Sequence, residues 1–430
     1  MKNIVIIIVD ALRPKNLSLY GYSKETDSNL KRIAQESLVF DNHFSASNST
    51  APSLTSLFTA KYPSHHGIIH QFPYTTEAEL EQLKKNKFWF PRFLQTKRYN
   101  TIAIDWLGMW FKKGFDYYEE KKEVPKPFLN NPIVKKILLS LPAWAYRLGK
   151  KMTKQRASTA FAPASQTMDL ALTKIKESKK PFFLFMHFWD THFPFPTVSY
   201  TGSSPKDIDK VLETIPHASQ REYFRKRIAD IGLYSIVDMI GKYDASIALV
   251  DKQIGRLYDF LKKEELWEET VFLVLGDHGD NLTEHGIYFS HSGLFDESIH
   301  VPLVAHFPGI SGGKRISGMI QNIDIIPSLL DYLDFTKETF EKIDGRSFIP
   351  LIKKGKEIRE RVLLFDGLSK NIRGVRTKKR KLIIAKDNQC HLCKAHHHEA
   401  VEEYDLEKDP TEQKNVFAGK SELMKFLNYI

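Results

Sequence analysis

Four short apolar runs, "NIVIIIVD", "TIAID", "PFFLFMHFWD" and "TVFLVLGDHGD", punctuate the chain, and each carries an aspartate where its apolar stretch stops. Consecutive β-branched and aromatic positions leave no polar face, which predicts strands buried on both sides. Between them, "SNLKRIAQESLVF" and "YDASIALVDKQIGRLYDFLKK" repeat apolar residues at helical spacing. Strands alternating with helices predict an α/β domain with a largely parallel central sheet sandwiched by helices. Ligands of such sheets bind beyond the carboxyl ends of the strands, where Asp10, Asp190 and Asp277 stand. From about Glu357 the texture changes to shorter alternating runs, "RVLLFDG", "IRGVRTKKRKLIIAK" and "AVEEYDLEKDP", followed by the helical "KSELMKFLNYI". The pattern divides the chain into a catalytic-sized domain, 1–356, and a small C-terminal antiparallel α+β subdomain, 357–430. Residues 121–156 are basic and proline-bearing, with apolar residues at rough helical spacing from Ile133 to Met152. They read either as an insertion packed on the main domain or as a lid or peripheral membrane contact.

Composition narrows the class without naming a substrate. With 430 residues, 42% of them hydrophobic, the chain is long enough for a large core. No run approaches the ~18 apolar residues of a membrane span, and the opening "MKNIVIIIVDAL" lacks a signal-peptide layout, so a cytoplasmic protein is expected. The net charge of +11 favours anionic neighbours, yet no nucleic-acid-binding module is recognisable. Cys390 and Cys393 are the two cysteines, too few for a disulfide framework. They belong to "CHLCKAHHH", which with His396, His397 and His398 reads as a structural zinc site or as a polar loop with two free thiols.

The stretch "NSTAPSLTSLFTAKYPSHHG" points to chemistry. Pro52 suits the first turn of a helix, which places Ser49 and Thr50 at its entrance, beside free N–H groups and the positive end of the dipole. A hydroxyl there is either an ordinary N-cap or a group facing an anion site. His65 and His66 fit a surface turn at the far end of the helix. Asp277 and His278 follow an apolar strand directly within "GDHGDNLTEHGIYFSHSG", with His285 and His291 close behind. An Asp-His pair at a strand end, another aspartate at Asp10 and the Thr50 hydroxyl can converge on one divalent cation. Such a cation makes a threonine hydroxyl nucleophilic.

These segments resemble the sulfatase family of the alkaline-phosphatase-like superfamily over nearly the whole chain. "VDALRPKNLSLYGY" is similar to the family's opening strand and metal-ligand loop, "TAPSLTSLFTAKYPSHHG" to its nucleophile helix, "FLFMHFWDTHFPF" to its substrate-histidine motif and "LVLGDHGDNLTEHG" to its second metal motif. "HSGLFDESIHVPLV", "IDIIPSLLDYL", "DGRSFIPLI" and "YDLEKDPTEQKN" match later signatures. The resemblance implies an alkaline-phosphatase-like fold and a hydrolase of anionic esters. It implies Asp10, Thr50, Asp277 and His278 as ligands of a zinc, manganese, magnesium or calcium ion. Thr50 is then the nucleophile, His192 and His291 meet the transferred group, and His187, Asp190 and His285 bind substrate, with Asp190 orienting His192.

Departures from the family pattern bear on the reaction. The sulfatase nucleophile is a cysteine or serine oxidised to formylglycine within C-x-P-x-R, where this chain has Thr50, Pro52 and Leu54. No formylglycine is expected from threonine. Ala11 stands where the family has a second metal carboxylate, and "IDWLG" replaces its lysine-bearing G-K-W-H motif. The threonine resembles the phosphoryl-transfer branches, so phosphodiester or phosphonate hydrolysis is the leading expectation. The alternatives are a phosphoethanolamine or glycerol-phosphate transferase, a true sulfatase, and an inactive protein that binds anionic surfaces.

Overall fold

The computed structural model describes residues 1–119, 162–179, 181–335, 341–369, 371–386 and 389–427. The basic stretch 121–156 lies outside the described residues.

All four apolar runs are strands: β1 (Asn3–Val9), β3 (Asn100–Ile104), β5 (Phe182–Phe188) and β6 (Thr270–Gly276). With β2 (Leu38–Phe44), β4 (Tyr117–Glu119), β7 (Leu303–His306) and β8 (Lys314–Gln321) they form an eight-stranded sheet in the order β4-β3-β5-β1-β6-β7-β2-β8. Every pairing is parallel except those of β7 with β6 and β2. β1 lies between β5 and β6, so both its faces need cover, as its unbroken apolar run requires.

Alternation along β1 divides the core. Val5, Ile7 and Val9 pack on one side with residues from helices Ser28–Ala34, Ala164–Glu177 and Ile236–Lys263. Ile4, Ile6 and Ile8 pack on the other with helices Thr50–Thr59, Phe90–Thr96 and Ile325–Tyr332. The period of two in a strand sends neighbours to opposite layers. Each of these residues is fully or almost fully buried, worth about 1.5–3 kcal/mol of transfer free energy apiece before entropic costs.

"SNLKRIAQESLVF" is helix only as far as Ala34, and its last residues begin β2. The β-branched and aromatic residues there gain more from pairing with β7 and β8 than from extending the helix. In the C-terminal part, β9 (Arg361–Phe365), β10 (Ile372–Thr377), β11 (Arg380–Ala385) and β12 (Val401–Asp405) form an antiparallel sheet in the order β12-β11-β10-β9. Val362, Leu364, Ile383 and Tyr404 from this sheet share an apolar cluster with Phe44, Leu294, Phe295 and Ile299. That cluster fastens the small sheet to the segment following "DHGD".

Candidate active site

Val9 and Gly276 are opposite each other in the parallel pair β1/β6, so Asp10 and Asp277 leave the sheet side by side. A side chain at Gly276 would bring a Cβ within 2.6 Å of the Leu12 carbonyl, which explains the glycine just before Asp277. Asp10 donates its N–H to the Phe188 carbonyl at 2.9 Å, and its own carbonyl accepts from Thr191 Oγ1 at 2.6 Å. Ala11 is in the left-handed region at φ +53° and gives its N–H to Asp277 Oδ1 at 3.1 Å. The residue where the family has a further carboxylate thus orients Asp277 through its backbone.

Thr50 is the first residue of helix Thr50–Thr59, and Ser49, at the N-cap position, makes no capping side-chain bond. The hydroxyl of Thr50 points elsewhere: Oγ1 is 3.1 Å from His278 Nε2. His278 Nδ1 donates to the Gly279 carbonyl at 2.8 Å, which fixes the tautomer with the Nε2 lone pair toward Thr50. At the helix start, Gln71 Oε1 accepts the Ala51 N–H at 2.8 Å and Pro52 has none to offer. The anion site expected at this terminus therefore narrows to the N–H of Thr50.

Asp10, Asp277 and His278 present ligand atoms within 4.8 Å of one another, all buried. Both oxygens of Asp10 and Oδ2 of Asp277 are buried without a hydrogen-bond partner. The nearest cationic group, His187, stops 3.5 Å from Asp10 Oδ2, and two such carboxylates beside an imidazole lone pair are costly without a further cation. Mixed oxygen and nitrogen donors suit a divalent metal, so the residues present fit the expected ion.

Around this set the histidines divide by partner. His187, fully buried, places Nδ1 3.0 Å from Asp105 Oδ1 and Nε2 3.5 Å from Asp10 Oδ2. Burial disfavours its charge, but Asp10 and Asp105 outweigh that and push it up to about 10. His192 donates from Nδ1 to the Phe193 carbonyl at 2.7 Å, and His291 from Nδ1 to the Asn48 carbonyl at 2.5 Å. Burial disfavours the charged form of both, and the Nδ1 donation sets the tautomer of each ring with Nε2 as the acceptor nitrogen. The His291 ring stacks on His278 with centroids 4.4 Å apart. Asp190 accepts from the Ala164 N–H at 3.0 Å and from Thr197 Oγ1 at 2.5 Å, so its carboxylate ties the loop after β5 to the start of the preceding helix, Ala164–Glu177. The fixed partner of His192 Nδ1 is the Phe193 carbonyl, in the role expected of Asp190. His285 pairs through Nε2 with Glu297 Oε2 at 3.1 Å and stacks on Phe295, so its ring is held by a carboxylate hydrogen bond and an aromatic face. His66 is fully buried against Ser56 Oγ at 2.9 Å, a core residue and not part of a surface turn.

Other residues at the site were not singled out from sequence. Asp105 carried a signal, since "TIAID" has the same strand-end aspartate as the other runs. Asn48 had none: Nδ2 donates to the Gly293 carbonyl and to Asp366 Oδ2, both at 3.0 Å, and Oδ1 accepts the Gly367 N–H at 2.8 Å. The Arg13 guanidinium, nearly buried, joins the loop after β1 to Glu284 at 2.9 Å and to the Asp280 carbonyl at 3.0 Å. Arg227 lies over the Phe193 ring at 4.0 Å, and its charge bears on both His192 and Asp280.

Comparison with known proteins bears on these elements together. The family model described as Sulfatase matches residues 2–335, and a model of the C-terminal region of N-sulphoglucosamine sulphohydrolase matches residues 283–427. The chain belongs to the sulfatase family. A choline-sulfatase of Rhizobium meliloti is 25% identical over 386 residues, covering 84% of this chain and 73% of that protein. Human iduronate 2-sulfatase is also 25% identical over 386 residues, covering 81% and 68%. Among solved structures, a phosphonate monoester hydrolase of Agrobacterium radiobacter superposes with a TM-score of 0.67 at 18% identity, covering 100% of this chain and 94% of that one. A 2-O GAG sulfatase superposes at 0.69 and 19% identity, covering 100% and 90%. The fold is thus the α/β architecture expected, and the protein is a sulfatase-family hydrolase. Sulfate-ester hydrolysis, an alternative in the sequence reading, is better represented among these relatives than the phosphodiester reading that led it.

Proposed function

We propose that this protein hydrolyses an anionic ester through the unmodified hydroxyl of Thr50, with a phosphorus-centred ester, phosphonate or phosphodiester, as the preferred substrate. The observation that supports it is Thr50 Oγ1, aimed from a helix start at His278 Nε2 beside the unpartnered Asp10 and Asp277 oxygens. Asp10, Asp277, His278 and the threonine oxygen would hold a divalent cation, which when bound supplies positive charge to the attacking oxygen and to the ester. Thr50 Oγ1 forms the new bond to the central atom while the bond to the leaving oxygen breaks. The proton from Oγ1 passes to the Nε2 lone pair of His291 or His192 and then to the leaving oxygen. In the second half water attacks the Thr50 ester, and its proton returns by the same histidine to Oγ1. His187, fixed through Nδ1 by Asp105, sets its Nε2 3.5 Å from Asp10 Oδ2 and bears on that carboxylate by charge.

Phosphorus is favoured because a threonine ester has no second hydroxyl to expel the group, as formylglycine has, so release depends on attack by water. The second reading, a sulfate ester, rests on the relatives, most of which are named as sulfatases. Aryl phosphonate monoester, bis-aryl phosphodiester, aryl phosphate and aryl sulfate, assayed with several divalent metals, separate the two. Brief incubation followed by peptide mass spectrometry should show a phosphoryl or phosphonyl adduct on Thr50. Efficient sulfate release by protein with an unmodified Thr50, and negligible turnover of phosphorus esters, would falsify the phosphorus preference.

A further inference from the structure

The loop that carries Cys390 and Cys393 is built like a ligand turn. The Cys390 carbonyl accepts the Lys394 N–H at 2.9 Å, the Cys390 N–H donates to the Ala395 carbonyl at 2.9 Å, and Lys394 is left-handed at φ +61°. Lys394 thereby turns the chain back immediately after Cys393, and both thiols face the same side. Isolated bridges from Ser369 to Cys390 and from Gln389 to His396 hold the two ends of the turn. His397 enters from beyond the turn, with Nε2 2.9 Å from Cys393 Sγ. Cys390 Sγ, Cys393 Sγ and a His397 ring nitrogen lie within 4.8 Å of one another, and both cysteines are buried as free thiols.

We propose that Cys390, Cys393 and His397 form a second metal site that takes Zn2+, separate from the Asp10, Asp277 and His278 set. Zinc at ~2.3 Å from sulfur and ~2.1 Å from nitrogen places tetrahedral donors about 3.6–3.8 Å apart. That spacing falls between the 2.9 Å of the Sγ–Nε2 pair and the 4.8 Å that bounds the set, so small side-chain shifts suffice. Thiolate and imidazole donors select zinc over magnesium or calcium, the ions of oxygen-rich sites. Binding releases the two thiol protons to solvent. A fourth position lies beside a small pocket that Cys393 and His397 share with Gln220, Tyr223 and Ser292, with about 10 Å³ of accessible space, enough for one water to complete the tetrahedron.

The site fastens the C-terminal part to the active-site loop. Ser292 Oγ is 3.4 Å from Cys390 Sγ, one residue after His291, and the Leu368 carbonyl accepts the His391 N–H at 2.7 Å, two residues after Asp366. Asp366 in turn bonds Asn48 beside the nucleophile. A metal here holds His291 and the Thr50 helix from behind.

The test uses the full chain. Elemental analysis of wild type and Asp277→Asn should both retain about one zinc that Cys393→Ser lacks, since the carboxylate change weakens only the other site. Cobalt substituted into wild type and Asp277→Asn should give a thiolate-to-cobalt charge-transfer band in the near ultraviolet, a reading that needs no cysteine variant to fold. Cobalt bound without that band overturns the site. So does zinc content unchanged in folded Cys393→Ser, or purified protein lighter by two hydrogens and free of zinc, which marks a Cys390–Cys393 disulfide.

Discussion

Replacing Thr50 by serine and by alanine separates a nucleophile from a buried polar residue. Thr50 is 3% exposed, and its β-branching restricts the side chain to rotamers that keep Oγ1 toward His278. Serine keeps the oxygen but frees it among up to three staggered wells, an entropic cost of about 0.6 kcal/mol, or roughly threefold in rate. It also gives up one buried methyl, about 0.8 kcal/mol of stability. Alanine removes the attacking atom, which should lower kcat by more than ~100-fold, at least about 2.7 kcal/mol in the barrier. In protein stripped of divalent metal, alanine also strands the buried His278 Nε2, so unfolding in urea should show a further loss of about 1–3 kcal/mol relative to serine. With metal restored, that extra loss should shrink because Nε2 has a ligand role. Initial rates on the ester that wild type turns over, alongside urea melts with and without chelator, read all of these quantities. If alanine and serine lower kcat equally and modestly, Thr50 is not the nucleophile.

Three further outcomes follow from other parts of the molecule. Arg359 is buried, places Nε and Nη2 each 2.5 Å from Asp324, and reaches Tyr62 Oη at 3.1 Å. Arg359→Met should cost about 3–5 kcal/mol in urea unfolding, and adding Asp324→Asn should recover much of it; a double variant as unstable as the sum would refute charge stranding as the cause. Burial works against the Glu79 carboxylate, but hydrogen bonds from His70, Thr76 and Ile69 hold it down to about 2 from an ordinary 4.5. The stability it contributes is therefore complete above about pH 4.5 and is lost as pH falls through 2, so Glu79→Gln should flatten that acid limb in pH-dependent melts and leave its shape near neutrality unchanged. A Cβ at Gly279 would sit 2.0 Å from the Glu297 carbonyl, so Gly279→Ala should destabilise by about 1–3 kcal/mol and weaken divalent metal binding measured by calorimetry; metal affinity equal to wild type would count against this loop as the frame of His278.

The central sheet was legible because strands buried on both faces leave unbroken apolar runs, and the aspartates stand out where those runs stop. The strand-end positions of Asp10 and Asp277, with His278 beside the latter, were readable for the same reason, and that of Asp105 could have been. Residues that act from loops lack such a frame. His285 and His291 share one histidine-rich segment, yet His291 stacks on His278 while His285 is held by Glu297 and Phe295. Their destinations depend on folds of the backbone that local pattern does not encode. Asn48 and Asp366 meet across 318 positions, and nothing in either neighbourhood indicates the other. The boundary between the helix Ser28–Ala34 and β2 was missed because helical spacing and a short apolar strand overlap in Leu38–Phe40.

The place of β1 has a consequence for how the protein is made. It precedes both of its partners, β5 and β6, in the chain, so Ile4 waits for Phe183 on one side and Val271 on the other. Pairings so distant in sequence are slow to form, and until they do the most apolar stretch of the chain stays uncovered. Asn48 must then wait longer still, for Asp366. The start of the Thr50 helix therefore reaches its final surroundings only after the chain through Asp366 has been made, and the "NIVIIIV" segment stays uncovered until β5 and β6 arrive.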